Sequence, residues 1–284
     1  MSVVGPGRRG VVVATAVPTQ ARRDREWLED AGIPAATPDD LGLHLKAFVL
    51  ARGEERDEPA GPVAGWSRAL RRPAVASLGD RGVYAATPTS RKSLAREEAI
   101  DVLREGIDQP FPRRIAVFGG AWIDEEEPEH EEARRLGRGL AEADVDVVTG
   151  GYQGIMAAVS RGASEGERSP VVGVTIAPWS ERVAVNEWLT HELEARDLMA
   201  RLPVICDADA WVAFPGGVGT LSEVALCWNL VQTESVEPRP LVIVGERWDR
   251  ALRRFRELLI AEDVHFDLVR PAASAEEALR LLSR

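Results

Sequence analysis

The sequence has few of the residues on which several kinds of enzyme chemistry depend. Lysine occurs twice in 284 residues, at Lys46 and Lys92, so roughly the last 190 residues contain none. A Schiff-base enzyme or a phosphate-binding P-loop requires a lysine in its site, and the C-terminal part of the chain is suited to neither. The four histidines are scattered and do not pair with cysteines at ligand spacing, so no metal site is expected.

Other scarcities bear on location and partners. Cys206 and Cys227 are the only cysteines, too few for a disulfide framework in a chain of this length, which favours a reducing, cytoplasmic location. No apolar run approaches the roughly 18 residues of a membrane span. The stretch from Val11 to Val17 is too short and too poorly flanked for a signal peptide. The formal charge of −11 argues against nucleic-acid binding, which needs a basic surface.

Apolar residues make up 45% of the chain, enough for a substantial core, and the pattern changes near residue 110. From residue 111 to residue 284, short apolar runs alternate with helical patterns. The predicted strands are Arg114–Phe118, Asp146–Thr149, Val171–Ile176, Ala210–Phe214 and Leu241–Val244. The predicted helices are Pro128–Ala143, Ile155–Glu165, Glu187–Leu202, Leu221–Val231, Trp248–Ile260 and Ala275–Leu282. This alternation predicts an α/β fold, a Rossmann-like doubly wound parallel sheet with helices on both faces.

Residues 1–110 give a weaker pattern, and we expect an additional α/β or mixed region whose fold and function the sequence leaves open. Val11–Ala14 and Gly82–Ala86 are candidate strands, and Arg22–Ala31 and Ser93–Gly106 are candidate helices. Residues 52–64, rich in Gly, Glu, Arg, Asp and Pro, predict an exposed loop or linker.

The most informative segment is 211–223. An apolar run from Trp211 to Phe214 ends in Pro215-Gly216-Gly217-Val218-Gly219-Thr220, and a helical pattern follows. The first turn of a helix carries unpaired N–H donors and a partial positive charge, and glycines let an anion approach the backbone. A phosphate is therefore the expected ligand of this turn.

Two further glycine turns, Gly119–Gly120 and Gly150–Gly154, also follow predicted strands. The carboxyl ends of parallel strands meet at one sheet edge, so the three turns together indicate a phosphate or nucleotide pocket. Simpler readings stay open at two places. Thr220-x-x-Glu223 also fits a capping box, and the Gly150–Gly154 segment also fits a plain tight turn between strand and helix. Trp211 and Trp228 are expected in the core rather than against a base.

The segment 113–284 resembles the Lonely Guy (LOG) family of nucleotide phosphoribohydrolases. Pro215 to Glu223 matches the family's Pro-Gly-Gly-x-Gly-Thr-x-x-Glu, and Gly150 to Met156 matches its Gly-Gly-x-x-Gly-[Leu/Ile]-Met turn. Gly119–Gly120 stands where the family has a Gly-Ser or Gly-Gly edge.

The resemblance implies hydrolysis of the N-glycosidic bond of a nucleoside 5′-monophosphate, of purine or N6-modified adenine (cytokinin-activating) type, to free base and ribose 5-phosphate. It implies a homodimer, no cofactor, and Glu223 as the catalytic glutamate, whose carboxylate stabilises the charge on the sugar, activates the attacking water, or does both. The residues that it assigns to phosphate or nucleotide binding are Gly119, Gly120, Gly150, Gly151, Gly154, Met156, Pro215, Gly216, Gly217, Val218, Gly219 and Thr220.

The family also uses an arginine on the helix before the fourth strand, and here the match is imperfect. The usual place falls at Ala200, whereas Arg201 lies one residue later and Arg196 one helical turn earlier. Arg201 is favoured, although either arginine also fits a solvated helix face. The family's Arg-Lys pair would be Arg201-Leu202 or Arg196-Asp197.

Two other functions are weighed against hydrolysis. A related Rossmann domain can bind a nucleotide as a sensor without cleaving it, with residues 1–110 as its partner or effector. A dinucleotide-binding oxidoreductase is disfavoured, because no Gly-x-Gly-x-x-Gly follows the first strand of the fold and no suitable acidic residue stands about 20 residues further on.

Overall fold

The computed structural model describes residues 10–14, 18–44, 60–78, 82–166, 170–180 and 182–283. These form two compact units. The C-terminal unit takes Arg113–Glu192 and the chain from Leu202 onward. The N-terminal unit takes the described residues up to Pro112 together with a later segment, Leu193–Arg201. No helix within the described ranges is long and apolar enough to cross a membrane.

The N-terminal unit contains a mixed five-stranded sheet. The strands of this unit are β1 (Val11–Val13), β2 (Ala35–Ala36), β3 (Leu43–His44), β4 (Ala74–Ser77), β5 (Val83–Ala86) and β6 (Arg91–Leu94), and the helices of the unit are α1 (Pro18–Asp30), α2 (Ala60–Leu70) and α3 (Arg96–Ile107). The sheet order is β2-β1-β4-β5-β6, and β3 lies outside this sheet. Strand β1 runs parallel to β2 and β4, whereas β5 runs antiparallel to β4 and β6.

Two predictions for this unit were wrong in part. The helix predicted from Ser93 begins only at Arg96, because residues 91–94 pair with β5 as an edge strand. The Oγ1 atom of Thr87 accepts hydrogen bonds from the N–H groups of Thr89 and Ser90, which turns the chain into this hairpin. The predicted loop 52–64 overlaps α2 from Ala60 onward, and residues 52–59 lie outside the described residues.

The C-terminal unit is built on a parallel sheet with helices on both faces, which confirms the predicted fold class. Its strands are β7 (Arg114–Phe118), β8 (Asp146–Thr149), β9 (Val171–Ile176), β10 (His191–Ala195), β11 (Ala210–Ala213), β12 (Leu241–Val244) and β13 (Val269–Ala272). Its helices are α4 (Pro128–Glu142), α5 (Ile155–Glu165), α6 (Ala177–Ser180), α7 (Leu198–Ile205), α8 (Val218–Gln232), α9 (Glu246–Leu258), α10 (Asp263–Phe266) and α11 (Ala275–Leu282). The chain passes into the N-terminal unit within strand β10 and returns to the C-terminal unit within helix α7.

The strand order places a topological switch point at the centre of the sheet. Six parallel strands run β13-β12-β11-β7-β8-β9, so the chain builds outward from β7 in one direction and from β11 in the other. Both faces of the inner strands are covered, which explains continuous apolar runs such as Leu241–Val244, whereas the edge strand β13 exposes Arg270 and Pro271. In open α/β sheets, ligands bind at the carboxyl ends of the strands beside such a switch point.

The helix predicted over Glu187–Leu202 is wrong. Residues 191–195 form strand β10, in which Leu193, Glu194 and Ala195 are all buried, and its pairing with β3 holds the segment extended. Helix α7 starts only at Leu198. Asp197 explains that start, because its carboxylate accepts a hydrogen bond of 2.8 Å from the N–H of Ala200.

The remaining differences are smaller. Helix α8 begins at Val218, three residues before the predicted start at Leu221. The short elements α6, α10 and β13 were not predicted. Each spans only four residues, too few to show a period that distinguishes a helix from a strand.

Helices α4 and α5 cross at glycines. A Cβ added at Gly137 would overlap the backbone carbonyl of Val159, and one added at Gly162 would overlap the carbonyl of Arg134. The two backbones therefore touch where side chains would normally separate them. The same helix α4 also carries Gly139, whose added Cβ would meet only the mobile end of the Leu279 side chain.

We predict that Gly137→Ala destabilises the protein by about 1–3 kcal/mol, because the helices must separate to admit the methyl group. Gly139→Ala is the matched control on the same helix. It should cost clearly less, because Leu279 can move and alanine favours the helix by up to about 1 kcal/mol. Thermal unfolding followed by circular dichroism measures both variants. Equal losses for the two would contradict a backbone-limited crossing.

Candidate functional site

Two backbone hydrogen bonds join the three glycine turns at the carboxyl edge of the sheet. The N–H of Gly120 donates to the carbonyl of Pro215 at 3.0 Å, and the carbonyl of Gly120 accepts from the N–H of Ile155 at 3.0 Å. Gly120 thus links the turn after β11 to the turn after β8. The turns that the sequence predicted to share one edge are in direct contact.

The turn after β11 leaves the start of α8 open. Gly217 is the N-cap residue in an extended conformation, and no side chain caps the helix there. The first backbone bond of the helix runs from the N–H of Leu221 to the carbonyl of Gly217, so the N–H groups of Val218, Gly219 and Thr220 precede the helical ladder. These donors, with the positive end of the helix dipole, can bind an anion.

The free space around the backbone differs between the glycines of this turn. Gly216, Gly217, Val218 and Gly219 are exposed, and a Cβ added at Gly217 or Gly219 would find no atom within 4 Å. At Gly216 the opposite holds, because an added Cβ would overlap the Thr220 hydroxyl and lie 2.8 Å from the Gly120 nitrogen. Gly216 is therefore needed for the fold of the turn, whereas Gly217 and Gly219 face open space.

The capping-box reading of Thr220 and Glu223 is wrong. The helix has already begun at Val218, so Thr220 is its third residue and Glu223 its sixth, and neither stands at a cap position. Both side chains are buried, with 5% of Thr220 and 7% of Glu223 exposed. Glu223 is therefore a carboxylate in a largely desolvated position, about one turn inside a helix whose start is open.

A buried thiol pair lies one turn beyond Glu223. The Sγ atoms of Cys206 and Cys227 are 3.6 Å apart, and both residues are fully buried. Burial raises the pKa of the Cys227 thiol well above its ordinary value, and the neighbouring Cys206 and the carboxylate of Glu223 add to the rise. Cys227 therefore stays a neutral thiol at neutral pH and is not a nucleophile in this site.

The turn after β8 is shaped by close backbone approach. Gly151 and Gly154 have φ angles of +82° and +64°, and a Cβ at Gly154 would overlap the carbonyl oxygen of Gly120. Gly119 is equally constrained, since its added Cβ would overlap the side chain of Ile155. The simpler reading, a tight turn from strand to helix, accounts for these three glycines without a ligand.

The remaining residues of this turn serve its packing. Gly150 is buried directly after β8, and the N–H of Gly151 donates to the Thr149 hydroxyl at 3.1 Å. Met156 is buried in a small apolar cluster with Tyr152 and Val183.

The two candidate arginines belong to the segment Leu193–Arg201 of the N-terminal unit. Arg196 is exposed, its side chain pairs with the adjacent Asp197 at 3.2 Å, and its N–H donates to the carbonyl of Gly42. Hydrogen bonding from the Ala200 N–H, and then from Arg196, lowers the pKa of Asp197 below its ordinary value. Arg201, on α7, is only 7% exposed. The two arginines thus differ sharply in their surroundings.

Trp211 lies in the core, as expected, whereas Trp228 is only partly buried. Trp211 is fully buried, and its indole N–H donates to the carbonyl of Cys206 at 3.0 Å. The indole N–H of Trp228 donates to the carbonyl of His265 at 2.7 Å, and its ring meets Phe266 edge-on. The Trp211 ring is therefore not available to stack on a ligand.

Comparison with known proteins relates this chain to nucleotide phosphoribohydrolases. Residues 112–235 match the SLOG cluster4 family. The chain is 34% identical over 113 residues to cytokinin riboside 5′-monophosphate phosphoribohydrolase LOG7 of Arabidopsis thaliana, covering 39% of this chain and 52% of that protein. It is 32% identical over 186 residues to the enzyme LOG of Oryza sativa subsp. japonica, covering 60% of this chain and 72% of that protein. The match thus spans about half the length of the first relative and nearly three quarters of the second.

A solved structure shows the same fold. The molybdenum cofactor binding protein from the phototrophic bacterium Rippkaea orientalis superposes with a TM-score of 0.50 at 22% identity. The superposition covers 62% of this chain and 98% of that one. At this identity the likeness concerns the fold alone.

We predict that Gly217→Ala weakens binding of ribose 5-phosphate by about tenfold, or about 1.4 kcal/mol, without lowering the thermal stability of the free protein. The added methyl group would occupy the open space in front of the helix start, and the φ of −93° at Gly217 suits alanine. Isothermal titration calorimetry measures the affinity. Gly216→Ala is the contrast, and it should lower the melting temperature without ligand. Unchanged affinity in Gly217→Ala would contradict an anion site here.

Proposed function

This chain belongs to the LOG family of phosphoribohydrolases, and from that premise we propose that it hydrolyses the N-glycosidic bond of nucleoside 5′-monophosphates. The products would be a free base and ribose 5-phosphate. The observation that carries the proposal is the pairing, on one helix, of an uncapped start with a buried carboxylate five residues beyond its first residue.

The spacing on α8 suits a ribose 5-phosphate. A helix rises about 1.5 Å per residue, so Glu223 lies about 7.5 Å along the axis from Val218. A phosphate held by the N–H groups of the first turn would leave its ribose beside the helix, within reach of a carboxylate at that depth. Gly216, Gly217, Gly219 and Thr220 are the residues that we assign to the phosphate.

Glu223 would act on the sugar. As the base departs, positive charge develops at C1′ and the ring oxygen, in an oxocarbenium-like transition state. A carboxylate in a desolvated position stabilises that charge more strongly than one in water, and it can also take a proton from the attacking water. The water oxygen bonds to C1′, the C1′–N bond breaks, and the base leaves with a proton.

We assign the family's arginine to Arg201. Its guanidinium is buried, and a buried guanidinium is held by fixed partners, whereas the Arg196 side chain is exposed and engaged by Asp197. The planar fork of donors fits a phosphate or a carboxylate. We further propose that the substrate is of purine or N6-modified adenine type, as the names of the relatives suggest, and that the protein is a cytoplasmic homodimer.

One observation favours a second candidate, a nucleotide sensor that binds without cleaving. The residue after Arg201 is Leu202, where the family has a lysine, so one cation of the usual pair is missing. In that case the N-terminal unit would be the partner or effector that reads the bound nucleotide. A nucleotide that raises the melting temperature but stays intact on incubation would identify a sensor.

We predict that Glu223→Gln lowers the rate of base release from AMP or an N6-substituted AMP by at least about 100-fold, because the charge opposite the developing cation is lost while the shape is kept. Liquid chromatography of the free base measures the rate. Glu246→Gln, at the exposed start of the neighbouring helix α9, is the matched control and should retain full activity. Base release by Glu223→Gln at the parent rate would contradict the assignment. Absence of release by the parent protein from any common nucleoside monophosphate would contradict hydrolysis.

We predict that Arg201→Ala reduces kcat/KM for the same substrate by about 100-fold, whereas Arg196→Ala leaves it within about twofold. Since Arg201 is buried, melting temperatures are compared in parallel. Arg201→Lys keeps the positive charge but lacks the planar guanidinium group. A normal melting temperature with reduced activity in this variant would indicate a role in the reaction rather than in the fold. Loss of activity in Arg196→Ala alone would reverse the choice between the two arginines.

A further inference from the structure

Two exposed indoles stand at the same sheet edge as the glycine turns. Trp122 follows the turn Gly119–Gly120, and Trp179 lies on α6, the single helical turn directly after β9. The exposed fraction is 76% for Trp122 and 44% for Trp179. An exposed indole offers a large flat apolar face, and aromatic faces of this kind stack on nucleobases.

Tyr152 braces Trp179 against the second glycine turn. The two ring centroids are 6.5 Å apart with the planes inclined at 60°. Tyr152 is buried, and its phenolic oxygen accepts a hydrogen bond of 2.8 Å from the N–H of Ile176, while the carbonyl of Ile176 lies 3.2 Å from the same oxygen. Tyr152 therefore joins the turn after β8 to the end of β9, and Trp179 packs against a ring that cannot turn away.

The distance from the phosphate turn to these rings suits a nucleotide. Neighbouring strands lie about 4.8 Å apart, so β11 is about 10 Å from β8 and about 14 Å from β9. Tyr152 follows β8 and Trp179 follows β9, and the hydrogen bonds of Gly120 connect the intervening turns. A nucleotide whose phosphate lies at the start of α8 and whose ribose crosses β7 would extend its base toward the turns after β8 and β9.

We infer that Trp179, braced by Tyr152, is the stacking surface for the base of the substrate. The inference rests on the proposed function, because it takes the phosphate to lie at the start of α8. Stacking depends on the area of the aromatic face rather than on its hydrogen-bonding edge, so purine nucleotides are favoured over pyrimidine nucleotides. The apolar cluster of Tyr152, Met156 and Val183 lies beneath the same turn and offers no charged group to the base.

Binding measured without turnover tests this inference. In the Glu223→Gln background, AMP, UMP and ribose 5-phosphate are titrated calorimetrically against Trp179→Ala, Trp179→Phe and Trp122→Ala. Trp179→Ala should weaken AMP binding about tenfold and leave ribose 5-phosphate binding unchanged, because only AMP carries a base. Trp179→Phe should restore most of the affinity for AMP. Trp122→Ala, the matched exposed indole, should change neither affinity.

Several results would overturn the inference. Equal weakening of AMP and ribose 5-phosphate in Trp179→Ala would indicate a structural role. A selective loss of AMP binding in Trp122→Ala instead would move the stacking surface to the first turn. If the Glu223→Gln protein without further substitutions bound AMP no more tightly than ribose 5-phosphate or UMP, stacking would not recognise the base. These binding results do not depend on hydrolysis. A protein that binds AMP through Trp179 but releases no base would contradict the proposed activity and leave the stacking inference intact.

Discussion

The pair of backbone hydrogen bonds at Gly120 holds the carboxyl edge of the sheet together. Its N–H donates to the turn after β11 and its carbonyl accepts from the start of α5. Because both bonds join main-chain atoms, the three turns keep their relative positions without any side chain. The glycines at 119, 154 and 216 follow from this contact, since a side chain at any of them would overlap a neighbouring turn or its first helical residues. The open start of α8 depends on this frame.

This frame explains how a strongly acidic chain can hold the phosphate that we propose as part of its substrate. The net charge of −11 repels anions at a distance, and the C-terminal unit has no lysine to compensate. Backbone N–H groups at a helix start supply donors and partial positive charge without a basic side chain. The same helix then presents Glu223 from a buried position, so that donors and carboxylate are held at a constant separation by α8 itself.

The sequence predicted the parallel sheet well because most of its strands are short, largely buried apolar runs, and those that end at Phe118, Thr149 and Val244 stand directly before a glycine. It failed at 187–202, where strand β10, held extended by its pairing with β3, precedes a helix that Asp197 caps. The reading of Thr220 and Glu223 as a capping box failed because glycine, which has no side chain to cap with, begins α8 three residues earlier. The proximity of the three glycine turns was predicted correctly, because the carboxyl ends of parallel strands lie at the same edge of a sheet. Trp179 was not predicted, because α6 is too short to leave a periodic signal.

The path of the chain through β10 and α7 bears on how this protein can be divided. The segment Leu193–Arg201 belongs to the N-terminal unit, where β10 pairs with β3 and the N–H of Arg196 reaches the carbonyl of Gly42. Each unit is therefore discontinuous in sequence, and no single cut separates them. Deletion of residues 1–112 would remove β3 and Gly42, with which the segment that carries both candidate arginines forms backbone hydrogen bonds. The N-terminal unit is therefore not a consecutive segment of the chain that one cut can remove. Gene fusions or deletions that treat the two units as consecutive segments would disrupt the fold of both.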